Sequence, residues 1–390
     1  FYQNKIAKAC GINLKTRILQ FKPPPPKANL AAGAKAYSSL YDYEPSAWRR
    51  GYATDGGVSA SCRRKICTTP IRVLDAPGMI DDFYRNLMAW SCKNVVALCL
   101  EDSVYLWNAT TGKITCLIEQ APYSISSISW SEDATNLAIG MDDGIMEIWD
   151  TEVQKKVRTM RLTTNTAVGA LTWNSYLLTS GSRHPSIWNH DVRIANHRVM
   201  EYRGHLAGVC GLEWKQDGTQ LASGGNDNLL NIWDIRSSVA KFTKTTHKSA
   251  VKALAWCPWK PNLLASGGGC SDRQVHFWNT TTGTRLKTLD AGSQVTSLKW
   301  SIDYKEIVST HGFPNNNIVV WNYPDLTKLV DITAHESRIL HCALSPDGST
   351  LATTAADENL KFWKLFMKNE KQKVEPMNQG GSIAKVVTIR

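Results

Sequence analysis

Apolar and polar residues alternate in short runs along most of the chain, and turn signals separate the runs. "GVCGLEW" (208–214) alternates, "KQDGT" (215–219) contains an Asp-Gly turn, and the further strand-like runs are "LASGG" (221–225), "LLNIW" (229–233) and "KFTKT" (241–245). A period of two is typical of β-strands, and glycine supplies the positive φ that a tight turn requires. This stretch therefore predicts a four-stranded antiparallel sheet.

Two series of tryptophan positions show that this four-stranded unit repeats. One series closes the third strand of each unit, at steps of 39 to 45 residues: Trp107, Trp149, Trp188, Trp233, Trp278, Trp321 and Trp363. The other closes the inner strand, at steps of 40 to 44 residues: Trp90, Trp130, Trp173, Trp214, Trp256, Trp300 and then Leu344. Seven units with a period of about 43 residues are typical of WD40 β-propellers.

Such a repeat predicts an all-β domain, a seven-bladed propeller closed into a ring. One blade cannot bury both of its faces, so stacking around the ring completes the core. The last unit has three strand-like runs, but the chain after it is charged and offers no fourth. Because "TPIRVLD" (69–75) is strand-like and lies just before the first unit, we expect it to pair with the last blade and remove the free sheet edge.

The composition fits a globular body with basic ends. Apolar residues make up 43% of the 390 and charged residues 20%, which is enough apolar material for a sizeable core. Basic residues outnumber acidic ones by 13 to 3 in residues 1–74 and by 5 to 2 in 367–390, whereas 75–366 carry 27 basic and 29 acidic side chains. No run reaches the 18 or so apolar residues of a membrane span, and no secretory leader is visible.

These patterns divide the chain into three regions: a basic, largely extended region at 1–68, the propeller at 69–366 and a flexible tail at 367–390. The basic flanks are either solvated and disordered, or docked on an acidic partner or nucleic acid. The sequence shows no motif of an RNA- or DNA-binding module. A protein partner is therefore favoured over nucleic acid.

Ten cysteines are spread through the chain without a CxxC pair. Several, such as Cys99 in "VVALCL", lie in alternating apolar runs. We expect reduced, mostly buried thiols of an intracellular protein rather than disulfides or zinc ligands. His184 and His190 are six residues apart with nothing else to suggest a metal, so neither a metal nor another cofactor is predicted.

A histidine, a hydroxyl, an aspartate and a tryptophan recur together in three units: His205, Ser223, Asp227 and Trp233; His247, Ser266, Asp272 and Trp278; His335, Thr353, Asp357 and Trp363. Histidine, hydroxyl and acid together suggest a hydrolase, but a set that recurs at one position of three units indicates a structural role. We expect a buried relay in which indole, hydroxyl, imidazole and carboxylate satisfy one another, and no catalytic residue.

Five polar residues remain in loops that share one face of the disc: Asp82, Asn226, Cys270, Gln294 and Arg338. An acid, two amides and an arginine that face one another suit a charged peptide. Ordinary polar loop residues are the alternative interpretation.

Longer phrases resemble the fizzy and fizzy-related proteins, which are co-activators and substrate receptors of the anaphase-promoting complex. They include "RVLDAPGMIDDFYRNLMAW" (72–90), "LASGGNDN" (221–228), "SGGGCSDRQVHFWN" (266–279) and "SPDGSTLATTAADENLKFW" (345–363). The resemblance extends over residues 69–366, and the phrases "CPW" and "RIANH" favour the fizzy branch.

The resemblance implies a protein that is not an enzyme and that binds degron peptides while the ubiquitin ligase performs the transfer. For the Arg-x-x-Leu destruction box it implies a groove between the first and last blades. Asp75 and Glu358 would bind the arginine, and the leucine pocket would be lined by Leu74, Leu98 and Ile114. Two carboxylates give charge-assisted hydrogen bonds to a guanidinium.

For the Lys-Glu-Asn degron, the resemblance implies a site on the disc face made by the five loop residues. Asp82 would take the lysine, Arg338 the glutamate, and the amides of Asn226 and Gln294 would read the asparagine. Cys270 departs from the family, which usually has threonine there. Because a thiol donates weakly, one hydrogen bond is expected to be lost.

Both ends of the chain also resemble family elements. "TRILQFKPPPP" (16–26) is similar to the family's linker element, and the last two residues are similar to its Ile-Arg docking tail. The residues to which this assigns ligase docking are Arg17, Ile18, Leu19, Ile389 and Arg390. The family's C-box normally precedes "TRILQF", and nothing in residues 1–15 matches it.

The implied partners are subunits of the anaphase-promoting complex, degron-bearing substrates, and spindle-checkpoint or pseudosubstrate inhibitors. The resemblance implies residence in the nucleus and cytoplasm, with no membrane partner and no nucleic acid. A scaffold or checkpoint target that binds pseudosubstrates without activating the ligase is the main alternative. An enzyme is disfavoured because the chain has no P-loop, dinucleotide glycine pattern or nucleophile elbow. Nucleic-acid binding by the basic arm would depend strongly on salt and on residues 1–68.

Overall fold

The computed structural model describes Arg64 and residues 66–367, and it contains seven four-stranded antiparallel sheets. The predicted all-β, seven-bladed propeller is therefore confirmed. No helix within these residues is long and apolar enough to cross a membrane. The closing strand and the first three blades comprise β1 (Arg72–Asp75), β2 (Met88–Trp90), β3 (Val95–Leu100), β4 (Ser103–Asn108), β5 (Ile114–Ile118), β6 (Ile125–Trp130), β7 (Asn136–Met141), β8 (Ile145–Asp150), β9 (Lys155–Arg161), β10 (Ala170–Asn174), β11 (Leu177–Gly181), β12 (Ser186–Asp191) and β13 (Arg198–Arg203).

The remaining four blades follow the same order from the inner strand outward. They comprise β14 (Val209–Trp214), β15 (Gln220–Gly225), β16 (Leu230–Asp234), β17 (Ala240–Lys244), β18 (Val251–Trp256), β19 (Leu263–Gly268), β20 (Gln274–Asn279), β21 (Thr284–Asp290), β22 (Val295–Trp300), β23 (Glu306–His311), β24 (Asn317–Asn322), β25 (Lys328–Thr333), β26 (Ile339–Leu344), β27 (Thr350–Ala355) and β28 (Asn359–Lys364).

The ring closes as the sequence predicts. The last sheet has the order β1-β28-β27-β26, so the strand that precedes the first blade completes the seventh. Strand β1 is antiparallel to β28, with Arg72 opposite Phe362 and Leu74 opposite Leu360. This pairing removes the sheet edge that the last blade would otherwise expose.

The fourth blade shows why the alternating runs form these strands. The predicted strands correspond to β14 through β17, and every residue of the second strand, β15, is buried. The outer strand β17 instead alternates between half-buried and exposed positions. Inner strands are covered by the neighbouring blades on both faces, whereas the outermost strand has water on one side.

Tryptophans at the ends of the inner strands connect one blade to the next. The indole N–H of Trp130 donates to the carbonyl of Ala89 at 3.2 Å, and that of Trp256 donates to Glu213 at 3.0 Å. Trp173 and Trp300 make the same bond to the preceding inner strand. The inner tryptophan series therefore marks the contacts between blades as well as their period.

The predicted relay is confirmed in three blades. In the fourth blade, Trp233 Nε1 donates to Ser223 Oγ at 2.8 Å, Ser223 Oγ lies 2.7 Å from His205 Nε2, and His205 Nδ1 lies 3.0 Å from Asp227. The equivalent bonds join the sets of the fifth and seventh blades. Because both nitrogens of each relay histidine are bonded and the rings are buried, the sets act in packing rather than catalysis.

The sixth blade also has an indole–hydroxyl–imidazole relay, but its histidine comes from a different position. Trp321 Nε1 donates to Ser309 Oγ at 2.7 Å, and Ser309 Oγ lies 2.7 Å from Nε2 of His311, at the end of the second strand. Sequence analysis missed this relay because its histidine does not come from the loop before the inner strand.

Two residues ahead of residue 69 also contact the propeller. The guanidinium of Arg64 pairs with Glu306, donates to the carbonyl of Leu365 and lies 4.3 Å from the ring centre of Tyr304. Ile66 packs on the apolar cluster shared by the sixth and seventh blades.

Half rather than most of the described cysteines are buried. Cys99, Cys210, Cys257 and Cys342 are buried thiols, whereas the exposed cysteines are Cys67, Cys92, Cys116 and Cys270. All eight are free thiols. Cys116 differs from the expectation because it lies on the outermost strand of its blade, which is covered on one face alone.

Candidate functional site: a seam groove and a polar disc face

The seam between the first and last blades brings together residues from the two ends of the propeller. Asp75 lies opposite Asn359 at the end of the β1–β28 ladder. The amide of Ala76 donates to the carbonyl of Glu358 at 2.7 Å, and that of Gly78 donates to the Glu358 carboxylate at 3.2 Å. Asp75 and Glu358 are therefore neighbours, as the predicted destruction-box site requires.

A groove of about 600 Å³ runs beside this acidic seam. Its lining includes four of the five residues predicted for the destruction box: Leu74, Asp75, Leu98 and Ile114. Glu358, the fifth, borders the groove and is held by the Gly78 amide. Leu98 is buried, whereas Ile114 is 64% exposed, so an apolar side chain that enters the groove would cover a surface now open to water.

Sequence analysis missed a third carboxylate at this groove. Glu101 lies in the turn between β3 and β4, lines the groove, and donates its backbone amide to the carbonyl of Gly78 at 3.0 Å. A Cβ at Gly78, where φ is +76°, would lie 2.7 Å from Cγ of Glu101, so the glycine permits this close approach. Its position in the repeat could have identified it, because Glu101 lies between the second and third strands of its blade, as Asn226 does in the fourth blade.

The groove can therefore bind a cation and an aliphatic group side by side. None of Asp75, Glu101 and Glu358 has an ion-pair partner among the described residues. Exposed carboxylates without a counter-ion attract a guanidinium, which offers five N–H donors. Leu360, Trp107 and Tyr105 add apolar surface beside the predicted leucine pocket.

The five predicted face residues lie in loops between strands, as expected. Asn226 follows β15, Cys270 follows β19, Gln294 precedes β22, Arg338 precedes β26, and Asp82 lies ahead of the first blade. Cys270 is exposed and Gln294 is 6% exposed. The structure shows no direct bond between any two of the five side chains. Asn226 and Arg338 contact the segment that contains Asp82.

This segment, residues 81–86, lies across the centre of the disc face. Tyr84 Oη donates to Asn226 Oδ1 at 3.0 Å, and Asn86 Nδ2 donates to the carbonyls of Gly169 and Cys210 at 2.7 and 3.2 Å. Arg85 pairs with Asp142 at 2.8 Å. The segment therefore contacts the second, third and fourth blades.

Its other contacts reach the fifth and seventh blades. The Lys252 ammonium donates to the carbonyls of Arg85 and Leu340, at 2.8 and 3.3 Å, and lies 5.3 Å from the ring centre of Phe83. Burial lowers the pKa of Lys252 to about 8, since a buried ammonium loses hydration. Sequence analysis did not identify this lysine, which fixes the segment over the channel of the ring.

Both charged residues of the predicted face set already have charged partners. The Asp82 carboxylate accepts the Tyr84 amide at 2.8 Å and lies 3.5 Å from Arg85 and 3.7 Å from Arg183. Arg338 pairs with Asp81, the residue before Asp82. A lysine and a glutamate of a bound peptide would therefore have to share or exchange these partners.

One buried cluster has the composition of a metal site. His247, Asp272 and His276 place ligand atoms within 4.8 Å of one another. Both nitrogens of His247 are already bonded within the relay, to Asp272 and Ser266. A metal bound by His247 and Asp272 would replace the relay bond between them, so the cluster is explained by packing.

The sequence profile of the CDC20/Fizzy WD40 domain matches residues 74–363. The WD repeat-containing protein slp1 of Schizosaccharomyces pombe is 49% identical over all of this chain and 77% of its own length. The anaphase-promoting complex subunit cdc20 of Dictyostelium discoideum is 45% identical over 94% of this chain and 74% of its own length. The APC/C activator protein CDC20 of Saccharomyces cerevisiae is 46% identical over 94% and 61%.

Fold comparison gives the same result. A chain of a structure entitled "Crystal Structure of Mitotic Checkpoint Complex" aligns with a TM-score of 0.77 and 54% sequence identity, over 82% of this chain and 98% of that one. The match to the family covers the whole ring from the closing strand to the last blade. This chain belongs to the CDC20/Fizzy family of WD40 propeller proteins.

Proposed function

We propose that this chain is an activator of the anaphase-promoting complex that selects substrates by binding their degron peptides. Relatives that are 45–46% identical are named as a subunit or an activator of that complex. The observation on which peptide recognition depends is the position of Asp75 beside Glu358, next to an apolar groove. The protein itself supplies binding and positioning, and the ligase performs the ubiquitin transfer.

In the seam groove, an extended Arg-x-x-Leu peptide would lie across the junction of the first and last blades. Asp75 and Glu358 would accept charge-assisted hydrogen bonds from the arginine. The leucine would pack on Leu74, Leu98 and Ile114, which contributes about 1.5–3 kcal/mol through burial of its side chain. Because both requirements must be met at one spacing, the groove selects the pair rather than either residue alone.

On the disc face, a Lys-Glu-Asn peptide would bind across the segment 81–86. Asp82 is the acceptor for the lysine, and Arg338 is the donor for the glutamate. The amides of Asn226 and Gln294 complement the asparagine, and the side chain of Cys270 is exposed at the edge of this surface. Support for this assignment comes from the common face of the five loops and from the contacts of the segment with Asn226 and Arg338.

Checkpoint inhibition through the same surfaces is a second function with its own support. A chain 54% identical to this one occurs in a mitotic checkpoint complex. A pseudosubstrate that carries both degron types would occupy the seam groove and the disc face together, and the linked sites would raise its apparent affinity. The nucleus and the cytoplasm remain the expected locations.

The decisive experiment compares Asp75→Arg with a charge-matched control. We expect Asp75→Arg to abolish binding of a fluorescent Arg-x-x-Leu peptide, because it places a cation where the peptide arginine must bind. Asp325→Arg, an exposed acid in the sixth blade, should leave binding unchanged. Both variants should melt at the temperature of the wild-type chain. Normal peptide binding by Asp75→Arg would reject the seam assignment.

Activation itself is tested by adding the protein to purified ligase and a substrate with a single Arg-x-x-Leu degron. The wild-type chain should support ubiquitination, and Asp75→Arg should fail with this substrate. If the variant binds peptide poorly but still supports full ubiquitination, the groove is not the route of substrate selection.

A further inference from the structure

Two adjacent aspartates ahead of the first blade have different surroundings. Asp82 faces Arg85 and Arg183 and accepts the Tyr84 amide, with its side chain 24% exposed. Asp81 instead reaches across to Arg338, which precedes the inner strand of the seventh blade, and its side chain is 52% exposed. Asp82 is therefore bound by several groups nearby, whereas the Asp81 side chain contacts a single arginine.

Asp81 occupies one complete edge of the Arg338 guanidinium. Nε of Arg338 donates to the Asp81 carboxylate, and Nη2 donates to the Asp81 carbonyl at 2.7 Å. Nε and Nη2 form one of the two edges through which a guanidinium binds a carboxylate in a bidentate manner. An incoming glutamate cannot use this edge while Asp81 remains in place.

The side chain of Asp81 is 52% exposed, so its carboxylate can leave Arg338 while the backbone stays in place. Met79 and Phe83 on either side of it are each 6% exposed and anchor the segment in the core. Asp81 itself belongs to no strand, and rotation of its side chain frees Nε of Arg338, whereas the bond from Nη2 to the Asp81 carbonyl remains. Exposed ion pairs of this kind contribute little to stability, so exchange for another carboxylate is possible at small cost.

We propose that Asp81 is an internal competitor for the carboxylate that Arg338 binds, and that it lowers the affinity of the disc face for peptides with an acidic residue. This inference rests on the proposed function, which assigns Arg338 to the glutamate of the peptide. A peptide with glutamate replaces one carboxylate by another. A peptide with glutamine can bind with the ion pair in place, so Asp81 lowers the affinity of the acidic peptide more than that of the neutral one.

The test measures binding of three fluorescent peptides to the full chain: one with Lys-Glu-Asn, one with Lys-Gln-Asn and one with Arg-x-x-Leu. Asp81→Asn should bind the Lys-Glu-Asn peptide about two- to fivefold more tightly than the wild-type chain, as expected for release from an exposed ion pair. The Lys-Gln-Asn peptide should gain less, so the ratio of Glu-peptide to Gln-peptide affinity should rise. The Arg-x-x-Leu peptide, which uses the seam groove, should bind with unchanged affinity.

Glu336→Gln is the matched control. Glu336 is exposed and lies two residues from Arg338 in the same loop, whereas the guanidinium of Arg338 is paired with Asp81. If Glu336→Gln raises the affinity for the Lys-Glu-Asn peptide as much as Asp81→Asn does, the gain is a general effect of removing negative charge and the proposal is wrong.

The remaining outcomes separate this proposal from the function on which it rests. If the wild-type chain binds Lys-Glu-Asn, Arg338→Ala removes that binding and Asp81→Asn changes nothing or weakens it, the face site stands and the competitor role is rejected. If neither the wild-type chain nor Asp81→Asn binds the peptide, both are rejected. Detectable binding by Asp81→Asn alone would support both.

Discussion

The carboxylate of Glu358 accepts a hydrogen bond from the backbone amide of Gly78 at 3.2 Å, although 280 residues separate the two in sequence. The carbonyl of the same glycine accepts the amide of Glu101. One residue of the strand-to-blade connection thus positions two acidic residues beside the groove. The closure of the ring, rather than any one blade, builds the cation-binding end of the groove.

Glu101 should contribute to binding of the peptide arginine, although no sequence motif identified it. We expect Glu101→Gln to lower the affinity for an Arg-x-x-Leu peptide about two- to fivefold, since an exposed ion pair contributes roughly 0.2–1 kcal/mol. Fluorescence anisotropy measures this change. Asp102→Asn removes the same charge from the next exposed position, and an equal loss there would show that Glu101 acts through general electrostatics.

Ser223 should matter for stability and not for peptide recognition. Its hydroxyl is bonded to both Trp233 and His205, and Ser223→Ala would leave two buried polar groups unsatisfied. We expect a loss of about 2–4 kcal/mol in the free energy of unfolding, measured by chemical denaturation. Ser238→Ala, at an exposed position of the same blade, should change it by less than about 0.5 kcal/mol. Folded Ser223→Ala protein that lost peptide affinity would contradict a purely structural role.

Acidification should destabilise the propeller through its buried histidines. Burial lowers the pKa of His190 to about 3, and that of His276, His311 and His335 to about 4. An unfolded histidine titrates near 6.5, so the unfolded chain binds more protons between pH 6.5 and about 4. Stability is therefore fully present above pH 6.5 and falls as the pH drops towards 4.

The size of this effect can be measured one histidine at a time. At pH 5 each such histidine should lower the free energy of unfolding by roughly 2 kcal/mol relative to its value at neutral pH. His276→Asn reproduces the asparagine that the fourth blade has at the equivalent position, Asn231. In this variant the loss of unfolding free energy between neutral pH and pH 5 should be smaller by roughly 2 kcal/mol. An unchanged pH profile would show that His276 does not titrate on unfolding as described.

Cys270→Thr should restore a hydroxyl at the edge of the disc face. We expect the Lys-Glu-Asn peptide to bind about two- to tenfold more tightly, because one hydrogen bond contributes roughly 0.5–1.5 kcal/mol. Cys270→Val has the shape of threonine without the hydroxyl and should give no gain. Equal effects of both substitutions would attribute the change to packing, and an effect on the Arg-x-x-Leu peptide would indicate a wider rearrangement.

The chain-terminal assignments remain predictions. The ligase-docking residues Arg17, Ile18, Leu19, Ile389 and Arg390 lie outside the residues that the structure describes. Deletion of Ile389 and Arg390 should weaken activation of the ligase while leaving both degron peptides bound with normal affinity. Loss of peptide binding in that deletion would mean that the tail acts on the propeller itself.

The sequence by itself determined the seven blades, their four strands, the closing strand and three of the relays. These features depend on periodic local patterns: alternation fixes which face of a strand is buried, and each relay recurs at fixed offsets around its own tryptophan. The resemblance to the family assigned Asp75 and Glu358 to one groove, and a ring that closes with residues 69–75 agrees with this assignment because it brings the two ends of the propeller together.

Only the tertiary structure decided which side chains are free to bind. The pairing of Asp81 with Arg338, the approach of Glu101 to Gly78, the Lys252 contacts in the channel and the His311 relay connect residues from different blades or break the local repeat. Their formation depends on backbone paths across the closed ring, and no spacing along the chain encodes them. For that reason the residues of the candidate sites could be predicted, whereas the side chains and backbone groups that already bind those residues could not.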